Sequence, residues 1–188
     1  MTSLLHEITC EPTTQYGVFL ISGGGGDEPD LGSSTGWLFA TGDYVVVRSA
    51  SGVWNAPDAL LQSWDGEPPH PGPRWSTVQT TAAVFSHSVA TVHNLMHDVE
   101  FARLPLPTPG RYRVRGYTGD RHQLRAALER ADHHAARTDP PAPVRGVEHH
   151  LLQFWPDPET TDAPQSIALD YEQEQVRRAL RRQRGTGP

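Results

Sequence analysis

The chain contains no lysine; all sixteen of its basic side chains are arginine. This absence reads more economically as the codon bias of a GC-rich genome than as a demand for guanidinium chemistry. It also removes the Gly-Lys-Ser/Thr phosphate loop. There is one cysteine, Cys10, so no intramolecular disulfide can form. Secreted disulfide scaffolds are thereby excluded, and Cys10 reads as a structural thiol in a reducing location. No apolar run approaches the length that a bilayer demands, and MTSLLHEITCEP has no signal-type apolar region. The expectation is a globular protein of the cytoplasm, with no membrane partner. No repeat of fixed period emerges.

What is present suffices for one core. The 188 residues are 36% apolar and include five Trp, five Tyr and five Phe, which predicts a single domain. Charge is uneven. Through Glu100 two arginines stand against eleven carboxylates, and beyond it fourteen stand against eleven. An acidic first half repels nucleic acid and favours cationic partners.

Short runs with turn signals dominate the chain. Residues 15–22 (QYGVFLIS) read as a strand leading into Gly23–Gly26 and the acids Asp27, Glu28 and Asp30. GWLFATGDYVVVR (36–48) reads as two strands about a Thr-Gly-Asp turn, and ALLQSW (59–64) as another. EPPHPGP (67–73) is an exposed connection. Thr77–Phe85 and Val89–Asn94 read as strands joined as a hairpin across Ser86–Ser88, with a helix left open for the second. Val99–Leu104 leads into LPLPTPGRYRVRGYTGD (104–120). There Tyr112, Val114 and, past Gly116, Tyr117 form a buried face, while Arg111, Arg113 and Arg115 form a solvated one. Asp120 and Gln123 make a capping-box pattern before a helix over 121–137. Val147–Trp155 is the last strand. The fold class is mainly β: a single antiparallel β-sandwich over residues 1–158 with one inserted helix. Residues 159–188 follow as a linker and a basic C-terminal helical tail.

Three patterns invite an enzymatic reading, and each is weak. One of them, the adjacent pairs His133-His134 and His149-His150, reads most simply as one buried and one exposed residue or as two solvated ones. Gly32-Ser33-Ser34-Thr35-Gly36 matches G-x-S-x-G, but an acidic loop precedes it and a strand follows. His93 and His97 have zincin spacing, yet Asn94 stands where the glutamate base belongs. Those two remain the fallback zinc ligands, with His149 or His150 as a third. The arginines of the 111–115 strand and the tail read as a solvated face and a helix C-terminus. No catalytic residue, cofactor or direct nucleic-acid contact is therefore expected.

GWLFATGDYVVVRS, ALLQSW, LPLPTPGRYRVRGYTGDR and EHHLLQFWPDP, in that order, resemble a group of uncharacterised actinobacterial proteins. More distantly they resemble the competence-protein-J type, the inhibitor of a DNA-entry nuclease. The shared part covers roughly residues 14–158. The resemblance implies a non-enzymatic, immunity-like module that occludes a basic nuclease or toxin. On that reading the partner-binding residues are Asp27, Glu28, Asp30, Asp65 and Glu67, with Trp54, Trp64 or Trp75 as aromatic anchors. The competing readings are a small-ligand or metal-binding sandwich, including a histidine-dependent enzyme, and a subunit that docks through its C-terminal helix.

Overall fold

Val18-Phe19-Leu20-Ile21 shows how the sequence sets the layers, because four consecutive apolar residues require cover on both faces of a strand. Phe19 and Ile21 enter the main core with Val45, Val47, Leu61, Val92, Val114, Leu152 and Phe154. Val18 and Leu20 point the other way and join Phe39, Tyr44 and Val46 in a second cluster, against which Leu31 and Leu95 pack. Arg48 fastens that cover. Its guanidinium donates to the carbonyls of Leu31, Ser34 and Gly36 and lies 4.6 Å from the Phe39 ring centre.

A computed structural model describes residues 2–24, 29–32, 34–41, 43–52, 54–75, 77–135 and 143–157. Asp27, Glu28, the last two positions of the expected helix and the tail from 159 lie outside these residues. In chain order the elements are β1 (Leu4–Cys10), β2 (Val18–Ser22), β3 (Leu38–Thr41), β4 (Tyr44–Arg48), β5 (Asn55–Trp64), β6 (Thr77–Phe85), β7 (Val89–His93), β8 (Glu100–Pro105), β9 (Gly110–Gly119), α1 (Arg121–Ala135) and β10 (Val144–Pro156). They build two five-stranded sheets, ordered β1-β5-β10-β9-β6 and β3-β4-β2-β7-β8. The main core fills the space between them. The expected sandwich is present, although its first sheet is mixed, because β5 and β10 run parallel.

Five local readings are corrected. β6 and β7 are not a hairpin: β6 pairs with β9 and β7 with β2 and β8, so Ser86–Ser88 carries the chain from one sheet to the other. Strict alternation continues through β9, which places Gly116 inward and Tyr117 beside Arg115. A Cβ on Gly116 would meet the Trp37 ring at 2.7 Å and Leu38 at 2.8 Å, so this position admits only hydrogen.

The arginine face is not simply solvated. Arg115 is 5% exposed, lies 5.1 Å from the Trp155 ring centre, and donates to Glu67, the Pro68 carbonyl and Gln153. Arg111 and Arg113 both hold the buried carboxylate of Asp157 at 3.1 Å. The proline-rich connection is in part a lid on that face, since Pro68 is buried and His70 meets the Tyr117 hydroxyl at 2.8 Å.

β5 begins at Asn55, four residues before the expected start, and runs through Pro57. The missing amide falls where the β5–β10 register shifts, between Arg145↔Ala56 and His149↔Asp58, and ahead of the first β1 pairing at Ala59. The same irregularity turns Glu148 inward. Its carboxylate takes hydrogen bonds from Ser49 and the Ala50 amide and pairs with Arg121 at 2.9 Å, which fixes the start of α1 against the sheets. Burial nevertheless pushes the Glu148 carboxyl up, outweighing the Ser49 bond and Arg121. Asp120 and Gln123 do meet at the N-terminus of α1, and Leu124 and Leu128 form its buried side.

Candidate functional site

The chain leaves large apolar side chains in water at one place above others. Tyr16 is 84% exposed, Met96 66%, Trp54 44% and Val99 43%. They come from three separate segments and line one groove of 610 Å³ with Thr13, Thr14 and Asp98.

Each wall has a local cause. Gln15 and Val18 exchange both backbone hydrogen bonds at 3.0 Å around Tyr16 and Gly17, with φ of 52° and 74°. Left-handed backbone at both central positions belongs to a type I′ turn, which favours Asn-Gly. Tyrosine at the first position costs about 1–2 kcal/mol, so an exposed aromatic is kept where the backbone disfavours it. Strain of this kind gathers at functional sites. Trp54 stands immediately before β5, where Thr14 and Asn55 bond reciprocally and fix the strand start.

The third wall is the β7–β8 turn. Asn94, 4% exposed, ties it from inside: its carbonyl accepts from His97, its side-chain oxygen from the Val99 amide at 3.3 Å, and its side-chain nitrogen donates to Asp98. The Met96 amide donates to the Gln15 side chain at 3.2 Å, joining this turn to the Tyr16 turn. Among the described residues lining the groove, Asp98 is the one charged side chain.

The residues expected from sequence are not gathered. Trp54 is in the groove. Trp64 closes β5 ten residues later, about 33 Å away at strand rise, with Asp65 and Glu67 beside it. Asp65 accepts the Ser3 amide at 2.7 Å, and Glu67 pairs with Arg115 at 3.0 Å. Asp30 accepts the Gly32 amide within its own loop. Trp75 stands near Gly119, with Arg74 over its ring. Sequence reading passed over Tyr16, Met96, Asp98 and Val99, although a tyrosine directly before a turn glycine was the available signal.

The enzymatic patterns fall into structural places. Ser34 accepts from the Gly36 amide and leads into β3, not a helix. His93 ends β7 and His97 lies in the following turn, so their spacing is not that of one helix face. His149 and His150 are in the other sheet. Among the described residues no three His, Cys, Asp or Glu side chains are grouped to hold a metal ion, and no helix is long and apolar enough to cross a membrane. A second pocket of 530 Å³ lies along β1, β5 and β10, with Asp58 on His149 at 3.1 Å and Cys10 at its wall. Burial pushes the Cys10 thiol up to about 12, so it is a neutral side chain there.

Two stacked five-stranded sheets, with a helix between the last two strands and an aromatic groove at the loops, define a mainly-β sandwich. No family model and no curated protein matches the chain. Among solved structures it is similar to ComJ from Bacillus subtilis, the inhibitor of the DNA-degrading activity of NucA. The identity is 10%, the TM-score 0.50, and the match covers 84% of this chain and 99% of that one. It is also similar to the protein of crocagin biosynthetic gene J, at 12% identity and a TM-score of 0.50, over 81% of this chain and 99% of the other. At such identities the likeness is one of fold, and it bears out a distant ComJ-like architecture.

Proposed function

We propose that this protein is a protein-binding module of the inhibitor kind, which receives a protruding apolar and basic segment of its partner in the Tyr16–Trp54–Met96 groove. The observation that carries this reading is the convergence of four exposed large apolar side chains, one on a strained turn, around a single concavity. Tyrosine, tryptophan and methionine are the residue types enriched in interface centres. A basic partner segment is supported by Asp98, among the described residues the one charged side chain lining the groove, and by the acidic first half of the chain. The ComJ-like fold supports the inhibitor reading, with a nuclease or toxin occluded by the bound module. The acidic residues Asp30, Asp65 and Glu67, and Asp27 and Glu28, would then steer the encounter at longer range.

The test uses the full chain and the purified products of the genes beside its own, titrated calorimetrically and, for any nuclease among them, assayed for DNA cleavage. Binding at micromolar or tighter Kd is expected. Trp54→Ala weakens it by about 30-fold, the loss of a central anchor of about 2 kcal/mol, whereas Trp64→Ala leaves it unchanged. No binding at micromolar concentration would count against the inhibitor role, and binding indifferent to Trp54 would place the surface elsewhere.

A further inference from the structure

We infer that the β7–β8 turn is a protonation-sensitive wall of the groove, held closed by the packing of the His93 imidazole on His97 and the Ser22 hydroxyl and released in acid. For its effect on binding this rests on the groove reading above; the device itself does not.

The turn that supplies Met96, Asp98 and Val99 to the groove is backed by two histidines. Their ring centroids are 5.3 Å apart at 50°. The Nε2 of His93 lies 2.9 Å from the Ser22 hydroxyl on β2, and the His97 ring meets Tyr44 of β4 edge-on at 5.2 Å. His97 also takes φ of 57°. A non-glycine residue in that region holds its place only while its surroundings favour it.

Among the described residues, Ser22 offers His93 a hydroxyl, and Tyr44 packs against the neighbouring His97. Across the β7–β8 ladder Glu100 is the register partner of His93, but its carboxylate is already bound to Arg103 at 2.7 Å. Within the turn stand His97 and Asp98, the latter taken by Asn94. Burial lowers the His93 imidazole first, then His97 and Arg103 lower it further, while Glu100 alone opposes them.

A conformation that disfavours the imidazolium is fully favoured above the ordinary imidazole range and loses ground as pH falls through it. The open turn takes a proton near the ordinary value of about 6.5, and the closed turn takes it less readily. The closed population relative to the open one therefore drops by up to about tenfold between pH 7.5 and 5.5. Loss of the closed turn withdraws Met96 and Asp98 from the groove.

The experiment needs no partner. Amide exchange of residues 94–99 is measured in the free full chain at both pH values and expressed as protection relative to the unstructured rate. The expected result is a several-fold fall in protection in the wild type, and none in His93→Gln, which retains a hydrogen bond to Ser22 but cannot be protonated. The same comparison in His97→Asn, whose short side chain tolerates left-handed backbone, gives a smaller fall than wild type. Unchanged wild-type protection overturns the inference. An equal fall in all three proteins overturns it as well, because some other group would then be titrating. Either failure leaves the groove untouched, since partner affinity at pH 7.5 is read separately.

Discussion

Acidification from pH 7 to pH 5 should destabilise this fold by about 2 kcal/mol through one residue, His150. Its side chain is fully buried between Phe19, at 5.7 Å, and Trp37, at 5.6 Å, and neither ring nitrogen has a hydrogen-bond partner. Burial, aided by Arg121 and His149, pushes the imidazole down to about 3. The unfolded chain takes the proton near 6.5 and the folded chain does not, so stability is complete above 6.5 and declines as pH falls from there towards 3. At pH 5 the unfolded state is favoured over a span of about 1.5 pH units, or about 2 kcal/mol. Urea unfolding of wild type and His150→Phe at the two pH values isolates the effect. Phenylalanine fits between the two rings and forfeits no hydrogen bond, so the variant should stand close to wild type at pH 7 and lose about 2 kcal/mol less on acidification. The other histidines and Glu148, whose raised carboxyl works in the opposite sense, are common to both proteins. Equal losses would refute the reasoning: the imidazole would then carry its proton in the fold, shared with the Glu148 carboxylate 3.5 Å away.

Two further outcomes follow from the geometry. Tyr16→Asn should raise stability by about 1 kcal/mol by relieving left-handed backbone, and should weaken partner binding; thermal unfolding and the calorimetric titration read the two effects. A tyrosine that can be replaced without a stability gain would show that the turn is unstrained. Gly116→Ala should destabilise by about 1–3 kcal/mol, because the added methyl meets Trp37 and Leu38 below van der Waals contact. Denaturant unfolding checks it, and a neutral result would mean that the Trp37 ring shifts freely.

The strands that alternate or sit between turn residues were legible in the sequence: the pair about Thr41–Asp43, Thr77–Phe85 and the arginine-bearing strand. What escaped depended on neighbours distant in sequence. β1 is an edge strand with most of its side chains exposed, so LLHEITC carries little apolar pattern. The start of β5 was hidden by Pro57, whose missing amide only the β10 irregularity accommodates. Ser86–Ser88 has turn composition, yet nothing local tells a hairpin from a crossing between sheets. Arg115 looked solvated because its cover, Pro68 and Trp155, lies 47 and 40 positions away. The groove was partly legible. Trp54 was singled out as an aromatic, but its companions Tyr16 and Met96 come from other turns, which the Gln15–Met96 contact brings together.

The groove is tested most directly by the exchange footprint of a bound partner, mapped on the full chain at pH 7.5. Protection at residues 13–17 and 94–101, with Trp64–Pro68 unchanged, is the predicted result. Protection confined to the Trp64–Pro68 end, with both groove turns exchanging as in the free chain, would contradict it.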